Sequence, residues 1–412
     1  MLMTREFLKV TDLDQVLAYR TVFPPVGVET IDLNDAVGRV LAAEVTSDID
    51  LPDFVRATMD GYAVRASSTF GASEENPAYL ALKGDVVMGG IPDFQIDPAE
   101  TARISTGGML PEGADSVVMV EHTQIIDPET IEVHRSVAPG QNIIEVGEDL
   151  KKQAVILTGG QKIRAQEAGL LAALGQRTVT VFQRPVVGII STGDEVVAVD
   201  EFPGRGQIRD VNTYTLSGLV RQAGAVPVSF GIVRDDYDAL FDRCAQALSR
   251  SDMLLISGGS SVGTRDFTVD VLSALPEPQI LAHGVSISPG KPTILARSKH
   301  KAIWGLPGHV VSAMVVFVVL VRPFIDQIQG YLSHGSQHNR ISAVLARNIA
   351  SAQGRTDFIR IRLVEQNGTL RAEPILGKSG LIHTMLKADG LIEIDKNTEG
   401  LDEGAQVLVM PI

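Results

Sequence analysis

The sequence predicts a multidomain α/β plus β protein: a parallel-sheet α/β domain, a small helical domain carrying a β-rich insert, and a C-terminal β domain. Three observations carry this reading. The length of 412 residues exceeds what one hydrophobic core usually serves, at roughly 100 to 200 residues per domain. The local rhythm passes from helix to short strands and turns near Ser47, to strand, loop and helix in alternation near Arg184, and back to alternating strands after about Leu332. The composition, 44% hydrophobic and 21% charged, supports large buried cores rather than a disordered chain.

Taken in order, Thr4 to Tyr19 reads as a helix, and past Pro24-Pro25 come a short extended piece and a second helical run, Leu33 to Ala43. Residues 48–152 are rich in Gly and Pro, with short alternating strands such as Ser116 to Glu121 and Ile131 to His134, and read as the β insert. A helix returns at Arg164 to Leu174, with Ala168, Leu171, Ala172 and Ala173 near one face. Residues 28–47 and 153–183 therefore form one helical domain split by the insert. From 184 to 332, the apolar runs Pro185 to Ile190, Ala225 to Phe230 and Asp252 to Ile256 alternate with the helical patterns Thr213 to Ala223 and Tyr237 to Ser249. That is the signature of parallel strands joined by crossover helices. In residues 333–412, Ile359, Ile361 and Leu363 alternate with Arg360 and Arg362, Asn367-Gly368 supplies a hairpin turn, and Val407 to Met410 closes the chain as a strand.

Composition also excludes function classes. Fifty acidic against 36 basic residues give a net charge of -14, and no basic run offers a phosphate-backbone track, so nucleic acid is not the expected partner. The apolar stretch Val310 to Val321 stops at Arg322-Pro323, short of the roughly 20 residues that span a bilayer. It is expected to be a buried helix, with no membrane role. Met1 to Lys9 lacks the pattern of a signal peptide, and a cytoplasmic protein is expected. Cys244 is the single cysteine, which excludes an intrachain disulfide; with Leu240, Phe241 and Leu248 at helical spacing it reads as a core thiol.

In an open parallel sheet, ligands bind beyond the carboxyl ends of the strands, where loops gather backbone amides. Three loops qualify: Ser191-Thr192-Gly193-Asp194-Glu195, Ser257-Gly258-Gly259-Ser260-Ser261-Val262-Gly263, and Gly305-Leu306-Pro307-Gly308-His309. Small residues let N–H groups converge on phosphate oxygens. Neither the Ser/Gly run nor Gly377-Lys378-Ser379 has the spacing of a P-loop. Asp194, Glu195, Asp235 and Asp266 follow strands of the same sheet, and a few convergent carboxylates are what a hard cation bridging to phosphate requires. Each aspartate taken alone also fits a helix cap or a solvated turn. Lys291, in Ser288-Pro289-Gly290-Lys291-Pro292, adds a charge for an anionic ligand.

Read together, these loops resemble the MoeA family of molybdopterin molybdenumtransferases and the corresponding domain of gephyrin. The resemblance rests on Met59-Asp60-Gly61-Tyr62-Ala63-Val64, Arg103-Ile104-Ser105-Thr106-Gly107, Ser191 to Glu195, and Gly206-Gln207-Ile208-Arg209-Asp210 with Asn212. It continues through Ser257-Gly258-Gly259, Ser261-Val262-Gly263, Asp266, Pro289-Gly290-Lys291-Pro292, Gly305-Leu306-Pro307-Gly308, and Gly377 with Ser379-Gly380 and Ala388-Asp389-Gly390. The motifs run in family order over nearly the whole chain. The resemblance implies an α/β domain made of residues 1–27 and 184–332, a barrel-like C-terminal domain, and a homodimer with clefts between subunits. It also implies binding of adenylylated molybdopterin assisted by magnesium, with insertion of molybdate and release of AMP, the substrate arriving from the molybdopterin adenylyltransferase.

Carried over residue by residue, Asp60, Thr106, Glu195, Asp235 and Asp266 are the implied catalytic residues, with Glu195 and Asp266 as metal ligands. Ser191, Thr192, Gly193, Asp194, Ser257, Gly258, Gly259, Ser261, Gly263, Lys291, Pro307 and Gly308 are the implied ligand-binding residues. Three stretches depart from the family pattern. Val55-Arg56-Ala57-Thr58 replaces Asp-Asn-Ser-Ala, Gly308-His309-Val310-Val311-Ser312 replaces Gly-Asn-Pro-Val-Ser, and Ser288 stands where a lysine is common. The second removes an Asn cap and a first-turn proline. Two alternatives stay open on sequence: a molybdopterin carrier or scaffold without the chemistry, and a tungstate-preferring member.

Overall fold

The computed structural model describes residues 10–258, 267–332 and 340–412; Gly259, Ser261, Gly263 and Asp266 lie outside the described residues. The chain divides into two compact units, one formed by Glu44–Thr158 with Ala173–Gly175, the other by the remainder.

The first unit is built on a six-stranded sheet of β1 (Gly61–Val64), β2 (Ala78–Asp85), β3 (Glu100–Ile104), β4 (Ser116–Met119), β5 (Thr123–Asp127) and β6 (Thr130–Val133), in the order β4-β1-β3-β2-β6-β5. β1 is an interior strand and is buried at all four positions. Gly61 is required there, because a Cβ would stand 1.9 Å from the Val118 carbonyl of the neighbouring strand. The two faces bury separate apolar sets, Ala63, Ala102, Ile104 and Val117 on one and Tyr62, Val64, Leu80, Val118 and Ile131 on the other, as the alternation of a strand dictates.

In the second unit, the α/β sheet comprises β7 (Val186–Thr192), β8 (Val226–Val233), β9 (Met253–Ser257), β10 (Pro278–His283), β11 (Ile294–Ser298) and β12 (Lys301–Leu306), ordered β8-β7-β9-β12-β11-β10. The β8, β7, β9 and β12 pairings are parallel. β11 and β10 add an antiparallel edge, so the sheet is mixed rather than wholly parallel; the tight turn at Ser298 to Lys301 can only return the chain antiparallel. The helices α1 (Leu13–Ala18), α2 (Ala165–Ala173), α3 (Asn212–Gln222), α4 (Tyr237–Arg250), α5 (Thr268–Ala274) and α6 (Val310–Ile328) belong to this unit or border it. α4 starts at its N-cap, where the Asp236 carboxylate accepts from the Ala239 N–H at 2.9 Å, a contact worth about 1 kcal/mol. Its buried stripe is Leu240, Cys244, Ala247 and Leu248. Cys244 is the core thiol its spacing predicts, and burial pushes it up to about 12.

The structure corrects three expectations. α6 does not stop at Arg322-Pro323: it is 19 residues long, which meets the length and composition of a membrane span, yet 72% of its apolar window is buried inside the fold. A π turn at Phe317–Val321 precedes Pro323 and reroutes the carbonyl that a proline ring would strike in a regular helix. Trp304 and Phe23 lie at 4.9 and 5.6 Å from Phe324 on its inner face. The run Leu33 to Ala43 is one 3-10 turn, Leu33–Asp35, because Gly38 takes a φ of +84° and the Gly38 and Leu41 amides donate to Ile163 and Gln161 carbonyls instead. Of the helix expected over Thr4 to Tyr19, residues 4–9 lie outside the described residues, and the described part is helical only from Leu13: Asp12 caps it, while the Thr11 amide is held by the Gly284 carbonyl.

The C-terminal part is a closed five-stranded barrel of β13 (Ile341–Leu345), β14 (Thr356–Gln366), β15 (Thr369–Pro374), β16 (Gly390–Ile394) and β17 (Gln406–Pro411), ordered β14-β15-β13-β17-β16 and closed by β14 against β16. Asn367 and Gly368, at φ +52° and +72°, make the turn between β14 and β15 with the left-handed pair that a two-residue hairpin favours. The two-residue strand Ile287–Ser288 joins the barrel alongside Thr356 and Asp357.

Candidate active site

The carboxyl ends of β7, β9 and β12 lie side by side. Ser191 is in register with Ser257, and Ser257 with Leu306. Ser191, Thr192 and Ser257 are buried, at 3%, 4% and 1% exposure, so their hydroxyls need partners; Thr192 donates to the Ser257 carbonyl at 3.3 Å. Gly258 continues from β9 at φ +106°, and a Cβ there would lie 2.3 Å from the Thr192 carbonyl oxygen. Its N–H donates to the Leu306 carbonyl. On the far side, the position a Gly308 Cβ would take is 3.6 Å from the Gly258 Cα. Thr192, Gly258 and Gly308 thus form a floor in which backbone faces backbone, and at Gly258 no side chain fits.

The acidic loop borders this floor. Gly193, at φ +139°, is covered by the Glu195 carboxylate, which lies 2.7 Å from where a Cβ would be. The Ile208 N–H fixes the Glu195 carbonyl at 2.8 Å. Both Asp194 and Glu195 are exposed, and the Asp194 carboxylate accepts from the Asp235 N–H at 3.3 Å. The structure therefore brings together Ser191 to Glu195, Asp235, Ser257, Gly258, Pro307 and Gly308. The exposed Asp194 and Glu195 carboxylates at the edge of this floor fit the chemistry of a magnesium ion, which takes one or two carboxylates and completes its shell from water and phosphate.

Lys291 is exposed on a separate loop. Gly290, at φ +117°, lets that loop cross α6, since a Cβ would meet Val316 at 2.4 Å. The loop leaves Ile287–Ser288 parallel to β14, the strand that carries Arg360. In the sequence Arg360 is one polar position of an alternating strand. In the fold it is half-buried, donates to the Thr384 hydroxyl at 2.5 Å and the Gly377 carbonyl at 2.7 Å, and burial draws its pKa down. Next to it, the Ser379 hydroxyl lies 2.9 Å from His309 Nδ1, and the Ser379 carbonyl accepts from the Val311 N–H at 3.1 Å. The departure at His309 is thus accommodated: a backbone carbonyl and a serine occupy the helix start that the absent Asn cap would serve.

Asp60 and Thr106 lie in the other unit. Gly61 pairs with Ile104, which sets Asp60 beside the turn after β3. There the carboxylate accepts from the Thr106 N–H at 2.7 Å and hydroxyl at 3.0 Å. The Thr106 amide first, then its hydroxyl, holds the Asp60 carboxyl below its ordinary range. Both residues are exposed. Among the described residues no three His, Cys, Asp or Glu side chains form a ready-made metal cage.

Comparison with known proteins places this geometry. Residues 11–175 match the MoeA N-terminal region (domain I and II), residues 188–327 the family described as "Probable molybdopterin binding domain", and residues 342–412 the MoeA C-terminal region (domain IV). The chain is 33% identical to the molybdopterin molybdenumtransferase of Bacillus subtilis over 389 residues, covering 93% of this chain and 90% of that one. It is 33% identical to its namesake in Haemophilus influenzae over 392 residues, 94% of each chain. The crystal structure of the molybdopterin biosynthesis MoeA protein from Pyrococcus horikoshii OT3 superposes with a TM-score of 0.85 at 30% identity, covering 98% of this chain and 100% of that one. The two strand-end motifs and the closed barrel therefore have one common explanation, and the chain belongs to the MoeA, or molybdopterin molybdenumtransferase, family.

Proposed function

We propose that this protein is a molybdopterin molybdenumtransferase, which inserts molybdate into adenylylated molybdopterin and releases AMP. The observation that carries the reading is the floor of Thr192, Gly258 and Gly308 with the Asp194-Glu195 loop at its edge. It offers close backbone approach for a phosphate and oxygen ligands beside it. In this reading Ser191, Thr192, Gly193, Asp194, Ser257, Gly258, Gly259, Ser261, Gly263, Pro307 and Gly308 seat the ligand, and Lys291 adds positive charge. Glu195 and Asp266 would hold magnesium, and Asp235 fixes the Asp194 carboxylate. When bound, magnesium supplies positive charge that polarises the phosphate and favours AMP departure. Asp60 and Thr106 enter through the family resemblance alone.

The same reading makes the protein a cytoplasmic homodimer that receives its substrate from the molybdopterin adenylyltransferase. Its domains would be 1–27 with 184–332, 28–47 with 153–183, 48–152 and 333–412. The test is incubation of the purified protein with adenylylated molybdopterin, magnesium and either molybdate or tungstate, following AMP release and metal incorporation. AMP release that requires the oxyanion supports the transferase. Tight binding without AMP release would replace it with a carrier, and faster turnover with tungstate would reassign the oxyanion.

A further inference from the structure

Asn212 is the first residue of α3 and is 9% exposed. Its amide nitrogen reaches two elements at once, donating to the Ser257 hydroxyl at 2.6 Å and to the Gly308 carbonyl at 2.8 Å. A backbone carbonyl can only accept, so the atom facing Gly308 must be the nitrogen, which fixes the orientation of the amide. The carbonyl oxygen of Asn212 is buried and has no partner among the described residues.

The helix start is itself fixed. The Asp210 carboxylate, 7% exposed, accepts from the Thr213 N–H at 3.0 Å, and the Asp210 amide is bound to the Val197 carbonyl at 2.9 Å. Asn212 is therefore anchored through the segment that follows the Asp194-Glu195 loop, while its nitrogen holds the ends of β9 and β12. We infer that Asn212 is a positioning residue for the transferase reaction: its amide clamps Ser257 to Gly308 and so sets the width of the floor on which the ligand phosphate rests. The functional half of this inference rests on the reading proposed above.

The test uses the full-length protein with Asn212→Ala and Asn212→Asp. Alanine removes both donors. Aspartate is nearly isosteric, and its carboxylate can accept from the Ser257 hydroxyl but repels the Gly308 carbonyl; once protonated it can donate to Gly308 and restore that half of the clamp. The first readout is hydrogen exchange of the Gly258 N–H, whose acceptor is the Leu306 carbonyl, each variant being compared with wild type at the same pH. Loss of one to two net hydrogen bonds predicts exchange about tenfold faster in Asn212→Ala. Asn212→Asp should match it at neutral pH and approach wild type at mildly acid pH. The second readout is affinity for adenylylated molybdopterin by calorimetry, expected to fall about tenfold at neutral pH and to recover with acid only in Asn212→Asp.

Exchange unchanged in both variants would overturn the clamp. Faster exchange with unchanged affinity, in a wild type that binds, would overturn the positioning role. Faster exchange that acid restores in Asn212→Asp, in a wild type that does not bind the ligand, would support the clamp and fault the molybdopterin reading instead. A variant that loses cooperative unfolding altogether would also count against a role confined to the site.

Discussion

Gly258→Ala gives the most direct test of the backbone-on-backbone floor. Two costs arise together. The φ of +106° is one an L side chain rarely adopts, at about 1–3 kcal/mol. The added methyl would also stand 2.3 Å from the Thr192 carbonyl oxygen and 2.9 Å from its hydroxyl. The carbonyl belongs to the interior strand β7, where Thr192 is in register with Val233, and cannot swing aside, so an overpacking penalty of about 1–3 kcal/mol adds to the strain. Gly206→Ala supplies the internal control: it shares a positive φ, +88°, but a Cβ there meets nothing within 4 Å. Urea unfolding of both variants should show midpoints lowered at constant slope, with Gly258→Ala losing about 1–3 kcal/mol more than Gly206→Ala. Affinity for adenylylated molybdopterin should fall only in Gly258→Ala. Equal losses in the two variants would refute the steric argument, and full affinity in a folded Gly258→Ala would remove the floor from the ligand site.

Glu195→Gln should retain the adenylylated ligand, because the floor is untouched, and lose AMP release by about a hundredfold or more, the scale of losing an electrostatic stabiliser; single-turnover assays at saturating ligand and magnesium separate the two. Asp326 is held above the ordinary carboxylate range, by burial first and against the opposing pull of Arg322 and Gln329. Its ionised form therefore costs stability near neutral pH, and the cost is relieved as pH falls through the raised folded value toward the unfolded one. Asp326→Asn should melt higher than wild type at neutral pH, with the difference shrinking at mildly acid pH; a constant difference would contradict that sign. Gly218, inside α3 with nothing within 4 Å of a Cβ, should accept alanine and gain about 0.5–1 kcal/mol, read as a higher denaturation midpoint with unchanged ligand affinity.

The local chemistry of this protein is written in its sequence. The helices Asn212–Gln222 and Tyr237–Arg250, the hairpin at Asn367-Gly368 and the strands ending at Thr192, Val233 and Ser257 all follow from signals shorter than about fifteen residues: apolar period, cap and turn residue. That the strand-end loops lie side by side is legible for the same reason, since a parallel sheet fixes where its loops gather. What the sequence could not decide is whatever depends on a partner distant along the chain. Leu33 to Ala43 has a helical pattern, but its amides are claimed by Gln161 and Ile163. α6 passes Pro323 because a π turn and the packing of Trp304 and Phe23 on Phe324 hold it. Arg360 becomes half-buried only when β14 closes the barrel beside the Gly377 to Gly380 loop. Asn212 is visible in the sequence as one letter of a motif; that its nitrogen joins Ser257 to Gly308, 45 and 96 residues away, is decided by the crossing of α3 over the strand ends, because a hydrogen bond is set by distance in space and leaves no periodic trace along the chain.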